Sequence, residues 1–414
     1  MSEFFQYNHH SGAFEKITPA AIKTEIAQRL QDYDATMQRT DSKLSAVVNV
    51  LKGQAEQRGA FDEKPNVIHL ANCMVAVKQG QIHKMRFSPT FKSRNQSPII
   101  FDPRAECPRF LNELIIPAVH PEDVAIIQKM LGQVLLGKNP SQRFLLVTGL
   151  GGRGKTQLIE IFRMIAGVHN CYQLRTQYLG DRFELFRCLG KTLLTGVDVK
   201  PDFMQQKGAD TIKALVGGDS LSPEGKGSNG DFTMKGDFNV VIGSNSRLKV
   251  KLAGDVDAWR RRMLIVKYEN PPPKKKIPYF AELLIKQEGS GILNWAIRGL
   301  IDLMDEIETH GDIQLTERQK SIVESLLSES DSLRHFLKNS VVKAPTYDLT
   351  VPEIVEAYAE YCPAMGWDPL PITTVQSQIE SLMLEEFQVS KSNSINRLSG
   401  NQKGFRNVAF KTDL

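Results

Sequence analysis

At 414 residues with 41% apolar content, the chain is long enough for two or three domains with substantial cores. A net charge of +5 is compatible with nucleic acid without requiring it, and five scattered cysteines (Cys73, Cys107, Cys171, Cys188, Cys362) argue against a disulfide framework or a paired zinc site. No run approaches the ~18 uninterrupted apolar residues of a membrane span, and "MSEFFQYNHHSG" lacks the plan of a signal peptide, so a cytoplasmic protein with no membrane partner is expected.

In chain order, "ITPAAIKTEIAQRLQDYDATM" predicts a helix with Thr18 as N-cap and Pro19 at its first position, and "SKLSAVVNVLKGQAEQ" predicts a second. From Val67 to Ile100 short alternating pieces predict a small sheet. Residues 1–100 therefore read as an α-rich N-terminal α+β region. "PEDVAIIQKMLGQVLLG" is the next helix and runs toward "RFLLVTG", a buried-strand pattern.

That strand opens into Gly-x-x-x-x-Gly-Lys-Thr without a gap: Gly149, Leu150, Gly151, Gly152, Arg153, Gly154, Lys155, Thr156. Glycines let the backbone turn its N–H groups toward phosphate oxygens, and the helix that follows presents the positive end of its dipole to the same anion. Lys155 has the reach and charge for β- and γ-phosphates, and Thr156 has a hydroxyl for magnesium. Strand, loop and helix occur in the order this chemistry needs, with Leu158, Ile159, Phe162 and Ile165 on one helix face. ATP and Mg²⁺ are the expected cofactors. The eight histidines show no spacing for any other metal.

About forty residues past Lys155, "KTLLTGVDVKPDF" predicts a short strand ending at Asp198, where an α/β fold collects ligands. The competing reading has Asp198 merely starting a turn. "FNVVIGSN" predicts another strand ending in Ser244 and Asn245, and "GDVDAWRRRMLIV" carries three arginines into a further strand. Such a run suits a γ-phosphate presented by a neighbouring subunit, or simply surface pairing. Between Asp219 and Phe238 a glycine-rich stretch has strand-like ends around Lys226, and "NPPPKKKIP" reads as a solvated break before the helix "GILNWAIRGLIDLMDEI".

The last hundred residues predict three helices, "SDSLRHFLKNSV", "TVPEIVEAYAEYCPAMG" and "TTVQSQIESLML", followed by two strand-like ends around a polar loop. This is a winged-helix pattern with "TTVQSQIESLML" as recognition helix. Lys391, Arg397, Lys403 and Arg406 put positive charge on the wing, suited to duplex phosphates. A protein-binding or purely structural cap is the other reading.

Taken in order, these motifs resemble the superfamily III helicases of the primase-helicase type found in phages, plasmids and large DNA viruses, over most of the chain. The segment from Phe101 to Leu111, "IKALVGGD", the "GSN" strand end and "WRRR" carry the likeness beside the phosphate loop. The resemblance implies an α/β fold with an AAA+-like P-loop ATPase core over 101–310 and a winged-helix domain over 311–414. It also implies a magnesium carboxylate at Asp198, a γ-phosphate sensor at Asn245, an arginine finger at Arg260 or Arg261 and a channel hairpin tipped by Lys226. Arg262 leaves the finger's register open. A homo-hexamer moving 3′ to 5′ on single-stranded DNA follows from the same likeness, as does contact with duplex DNA and a separate primase or polymerase. One departure stands out: many relatives have two adjacent acidic residues where this chain has Val197-Asp198-Val199, so the group that polarises the attacking water is unassigned. An ATP-controlled origin-binding initiator and a protein-remodelling AAA+ ATPase remain alternatives.

Overall fold

Aromatic residues set the first element: Phe4–Asn8 (β1) pairs antiparallel with Ala13–Ile17 (β2), bringing Tyr7 opposite Phe14. The computed structural model describes residues 3–35, 39–57, 59–62, 65–200, 208, 210–223, 233–246, 256–398 and 400–413. They fall in two compact units, one within residues 1–248 and 257–320 and the other within residues 321–414.

In the first unit, Pro19–Asp32 (α1) is capped by the Thr18 hydroxyl, which accepts from the Ala21 amide at 3.1 Å, and Asp41–Gln54 (α2) follows. Val67–His69 (β3), Met74–Lys78 (β4) and Gln81–Met85 (β5) make an antiparallel sheet in that order. The β1–β2 hairpin adds strand to this region beyond the expected sheet, because five-residue strands joined across a short polar turn leave too little periodicity to be seen.

Pro121–Leu136 (α3) leads to Phe144–Thr148 (β6) and Lys155–Ala166 (α4). Cys171–Gln173 (β7), the short Arg182–Phe186 (α5), Leu193–Gly196 (β8) and Thr211–Gly217 (α6) come next. Ser220–Leu221 (β9) pairs with Met234–Lys235 (β10), and Asn239–Ser244 (β11), Val256–Arg262 (α7) and Met263–Lys267 (β12) complete the core. Five of these strands form one parallel sheet in the order β12-β6-β11-β8-β7. Apolar runs such as Phe144–Val147 and Val240–Ile242 are fully buried, as interior parallel strands covered on both faces must be. The 31-residue Phe280–His310 (α8) packs across α3 and α4. A Cβ on Gly132 would lie 2.2 Å from the Ala296 carbonyl oxygen, so glycine lets α3 and α8 meet backbone to backbone. All five cysteines are buried and free.

Glu317–Ser330 (α9) runs across the division between units. The second unit continues with Ser332–Ser340 (α10), Val341–Thr350 (β13), Val351–Ala364 (α11), Ile372–Phe387 (α12), Lys391–Arg397 (β14) and Gly400–Phe410 (β15). Its sheet is antiparallel in the order β13-β15-β14 and covers a core that includes Phe336, Ile354, Tyr358, Ile379, Met383 and Phe405. The three expected helices and the terminal hairpin are present; β13 was not expected, because Pro345 and Asp348 interrupt its alternation. No helix among the described residues is long and apolar enough to cross a membrane.

Candidate functional site

Strand register explains which side chains meet. Thr148, Ser244 and Lys267 lie level across β6, β11 and β12, while Gly196 of β8 is level with Ile242. Two residues beyond Gly196, Asp198 therefore draws level with Ser244, and the Val199 amide donates to the Gly243 carbonyl at 3.0 Å. Asp198 has φ 51°, a left-handed conformation that aspartate tolerates better than most residues, and its carboxylate accepts a 2.8 Å hydrogen bond from Asn245 Nδ2. Ser244 Oγ ties the strand end to the Val199 carbonyl at 3.1 Å and the Ser246 carbonyl at 2.8 Å.

The glycine loop spans from β6 to the start of α4. Gly149, Gly152 and Gly154 have φ of 142°, 79° and 97°, and a Cβ on Gly149 would stand 2.3 Å from the Tyr268 carbonyl oxygen. Arg153 fastens the loop, donating to the Tyr268 and Glu269 carbonyls at 3.0 and 2.6 Å. Lys155 is buried at the first turn of α4 and donates to the loop carbonyls of Gly149 and Leu150 at 2.6 and 2.8 Å. Burial pushes its ammonium below the ordinary lysine range, Asp198 opposes that shift and Arg153 adds to it. Beneath the loop, Tyr268 is buried with its hydroxyl unpartnered, and burial raises its pKa.

A cavity of about 530 Å³ unites Gly151, Gly152, Arg153, Gly154, Lys155, Thr156, Asp198 and Asn245. Amides at a helix start, a buried lysine, a hydroxyl and an exposed carboxylate make it suited to a polyphosphate with a divalent cation. The arginines behave differently. Arg260 and Arg261 are exposed on α7 and do not line the cavity. Arg260 pairs with Asp257, and Arg261 Nε donates to the Asp257 carbonyl at 3.4 Å. Arg262 Nε donates to the Lys213 carbonyl at 3.3 Å, within its own chain. Lys226 lies outside the described residues.

In the second unit, Arg397 is held bidentately by Glu353 at 2.7 and 2.9 Å and donates to the Asp348 carbonyl at 2.6 Å. Lys391 reaches Glu380 at 3.3 Å, Arg406 donates to the Ser394 carbonyl at 3.0 Å, and Lys403 is exposed. The helix α12 contains Glu380, Glu385 and Glu386 and no lysine or arginine, so the positive charge is on the hairpin.

One wall of the cavity went unread in the sequence. Lys276, Pro278 and Tyr279, from the segment 271–280, line the cavity beside the loop together with Leu114, Pro117 and Ala118. The available signal was position: this segment leaves β12 at the same sheet edge from which the glycine loop leaves β6.

The fold and cavity define an α/β protein with a glycine-rich loop at the carboxyl ends of a parallel sheet. A family of unknown function, DUF5906, matches residues 147–262, which holds the loop, Asp198, Asn245 and the arginines. Among solved structures, the A-form apo structure of the NrS-1 C-terminal region (305–718) is similar with a TM-score of 0.51 at 11% identity, covering 98% of this chain and 94% of that one. A second A-form structure of that region gives 0.47 at 13% identity, with coverages of 89% and 91%, and a further apo structure gives 0.45 at 11%, with 81% and 94%. The first of these likenesses is one of fold.

Proposed function

We propose that the chain is an ATP-driven, ring-forming DNA helicase that replicates a phage, plasmid or other mobile element. The observation that carries this reading is the convergence of Lys155, Thr156, Asp198 and Asn245 on one cavity at the glycine loop. An AAA+-like P-loop core is supported by the interior position of β6 in the parallel sheet, with β11 between it and the strand that leads to Asp198. The residues fit a magnesium nucleotide: a Cβ on Gly151 would meet nothing within 4 Å, so the loop faces open space. Bound Mg²⁺ supplies charge neutralisation to the β- and γ-phosphates. Lys155 would exchange its loop carbonyls for phosphate oxygens, Thr156 and Asp198 would offer oxygen ligands to the ion, and Asn245, held by its hydrogen bond to Asp198, would sense the terminal phosphate.

The exposure of Arg260 and Arg261 away from this cavity favours a site completed by the neighbouring subunit, as in the homo-hexamer that the family resemblance implies. Polarity of 3′ to 5′ and a separate primase or polymerase rest on that resemblance alone. The helix–strand–helix–helix–strand–strand order of the second unit supports a winged helix that contacts duplex DNA through its hairpin. An initiator or a protein-remodelling ATPase would displace no strand, so the deciding experiment is unwinding of a forked DNA duplex. Wild type should unwind it with ATP, and Lys155→Ala should lose both unwinding and ATPase activity. Near-normal ATPase activity in purified Lys155→Ala would remove the cavity from the mechanism.

A further inference from the structure

The cavity is lined by more than the glycine loop, and these further residues have a chemistry of their own. Leu114, Pro117, Ala118, Ile277, Pro278 and Tyr279 all line it. Both segments reach the loop: Leu114 Cδ1 lies 3.4 Å from where a Cβ on Gly154 would stand, and Lys276 Nζ lies 3.7 Å from the same point on Gly152. Tyr279 is 78% exposed at the rim and has φ 51°, a left-handed conformation unusual for a bulky residue. An exposed aromatic ring in that position offers a flat face to a base.

Several polar groups around this wall are already engaged by the protein itself. Glu113 lines the cavity, but its carboxylate is taken by Arg109 at 2.7 and 3.0 Å. The side-chain oxygen of Gln157 accepts from the Ala281 amide at 2.8 Å, and the Pro117 carbonyl accepts from Asn270 at 2.9 Å. Selection among bases requires polar groups that a wrong base leaves unpaired, whereas apolar contact and stacking discriminate weakly.

We infer that the base is held by stacking on Tyr279 within an apolar cleft, with Lys276 on the phosphates, so that the site accepts nucleoside triphosphates with little regard to the base. This rests on reading the cavity as a nucleotide site. The two ideas fail differently in one experiment, in which ATP, GTP, CTP, UTP and inorganic tripolyphosphate compete with a fluorescent ATP analogue on the full chain with Mg²⁺. The four nucleotides should bind within about tenfold of one another. Tyr279→Ala should weaken all four by about fivefold or more while leaving tripolyphosphate unchanged, and Tyr279→Phe should keep wild-type affinities. Lys276→Ala should weaken nucleotides and tripolyphosphate alike. A preference above about a hundredfold for one base, or a Tyr279→Ala protein with wild-type affinities, overturns the inference while Lys155-dependent binding still supports a nucleotide site. Absence of nucleotide binding by the wild type overturns both.

Discussion

Lys155 is a buried ammonium whose hydrogen bonds go to the carbonyls of Gly149 and Leu150. A charge taken from water needs such acceptors, and phosphate oxygens are better ones, so under the proposed function a bound nucleotide would exchange one set for the other. Asp198 is the complementary case, exposed and oriented by Asn245 rather than buried. An asparagine in its place would keep the shape and the left-handed backbone but lose the charge. Asp198→Asn should therefore leave nucleotide affinity within a few-fold of wild type and lower turnover by about a hundredfold. Parallel binding and steady-state ATPase measurements check this. Unchanged turnover would place the catalytic carboxylate elsewhere, a real alternative given the apolar neighbours Val197 and Val199.

At the scale of elements, the start of α11 joins local structure to long-range pairing. The Thr350 hydroxyl accepts from the Glu353 amide, the Glu353 carboxylate accepts from the Thr350 amide, and the same carboxylate holds Arg397 of β14. Removing the cap by Thr350→Ala should lower stability by about 1 kcal/mol, measured by denaturant unfolding of the full chain. Arg397, chiefly through its hydrogen bonds, holds the Glu353 carboxyl below its usual 4.5. With the folded value depressed, the pair's contribution is complete above that pH and is lost as pH falls through the folded value. The stability gap between wild type and Glu353→Gln should accordingly shrink on acidification below about pH 4.5, and a gap independent of pH would show the charge to be idle. Arg397 also illustrates where sequence reading ends. Its charge and its hairpin are legible, but an ion pair to a residue 44 positions away is decided by packing. The loop from Gly149 to Thr156 is legible because strand, glycines and helix are contiguous, and Asp198 and Asn245 because buried strands announce their ends. The 271–280 wall is not, since prolines and lysines carry no periodicity and read as solvent-facing wherever the chain takes them.

At the scale of the whole molecule, charge is unevenly divided: residues 321–414 hold 12 Asp and Glu against 8 Lys and Arg, so the positive surplus belongs to the rest of the chain. The arginines of α7 are part of that surplus, and they bear on assembly. Trp259 is fully buried and anchors the helix, Arg262 is tied to the Lys213 carbonyl, and Arg260 and Arg261 remain exposed, outside the lining of their own subunit's cavity. If one of them completes a neighbour's site, hydrolysis must depend on assembly, and a finger of this kind contributes on the order of 10³ to 10⁵ in rate. Two defective proteins separate the possibilities. Lys155→Ala keeps the arginines but has no working loop, whereas Arg261→Ala, or Arg260→Ala in the other register, keeps the loop but lacks the finger. Mixed rings contain some interfaces with an intact loop on one side and an intact arginine on the other. ATPase activity in the mixture should exceed the sum of the two proteins measured separately, and it should rise with total protein concentration as rings form. Arginine variants that are fully active alone, or mixed rings shown to form yet never active, would mean that each subunit hydrolyses nucleotide by itself and that the exposed arginines serve another contact.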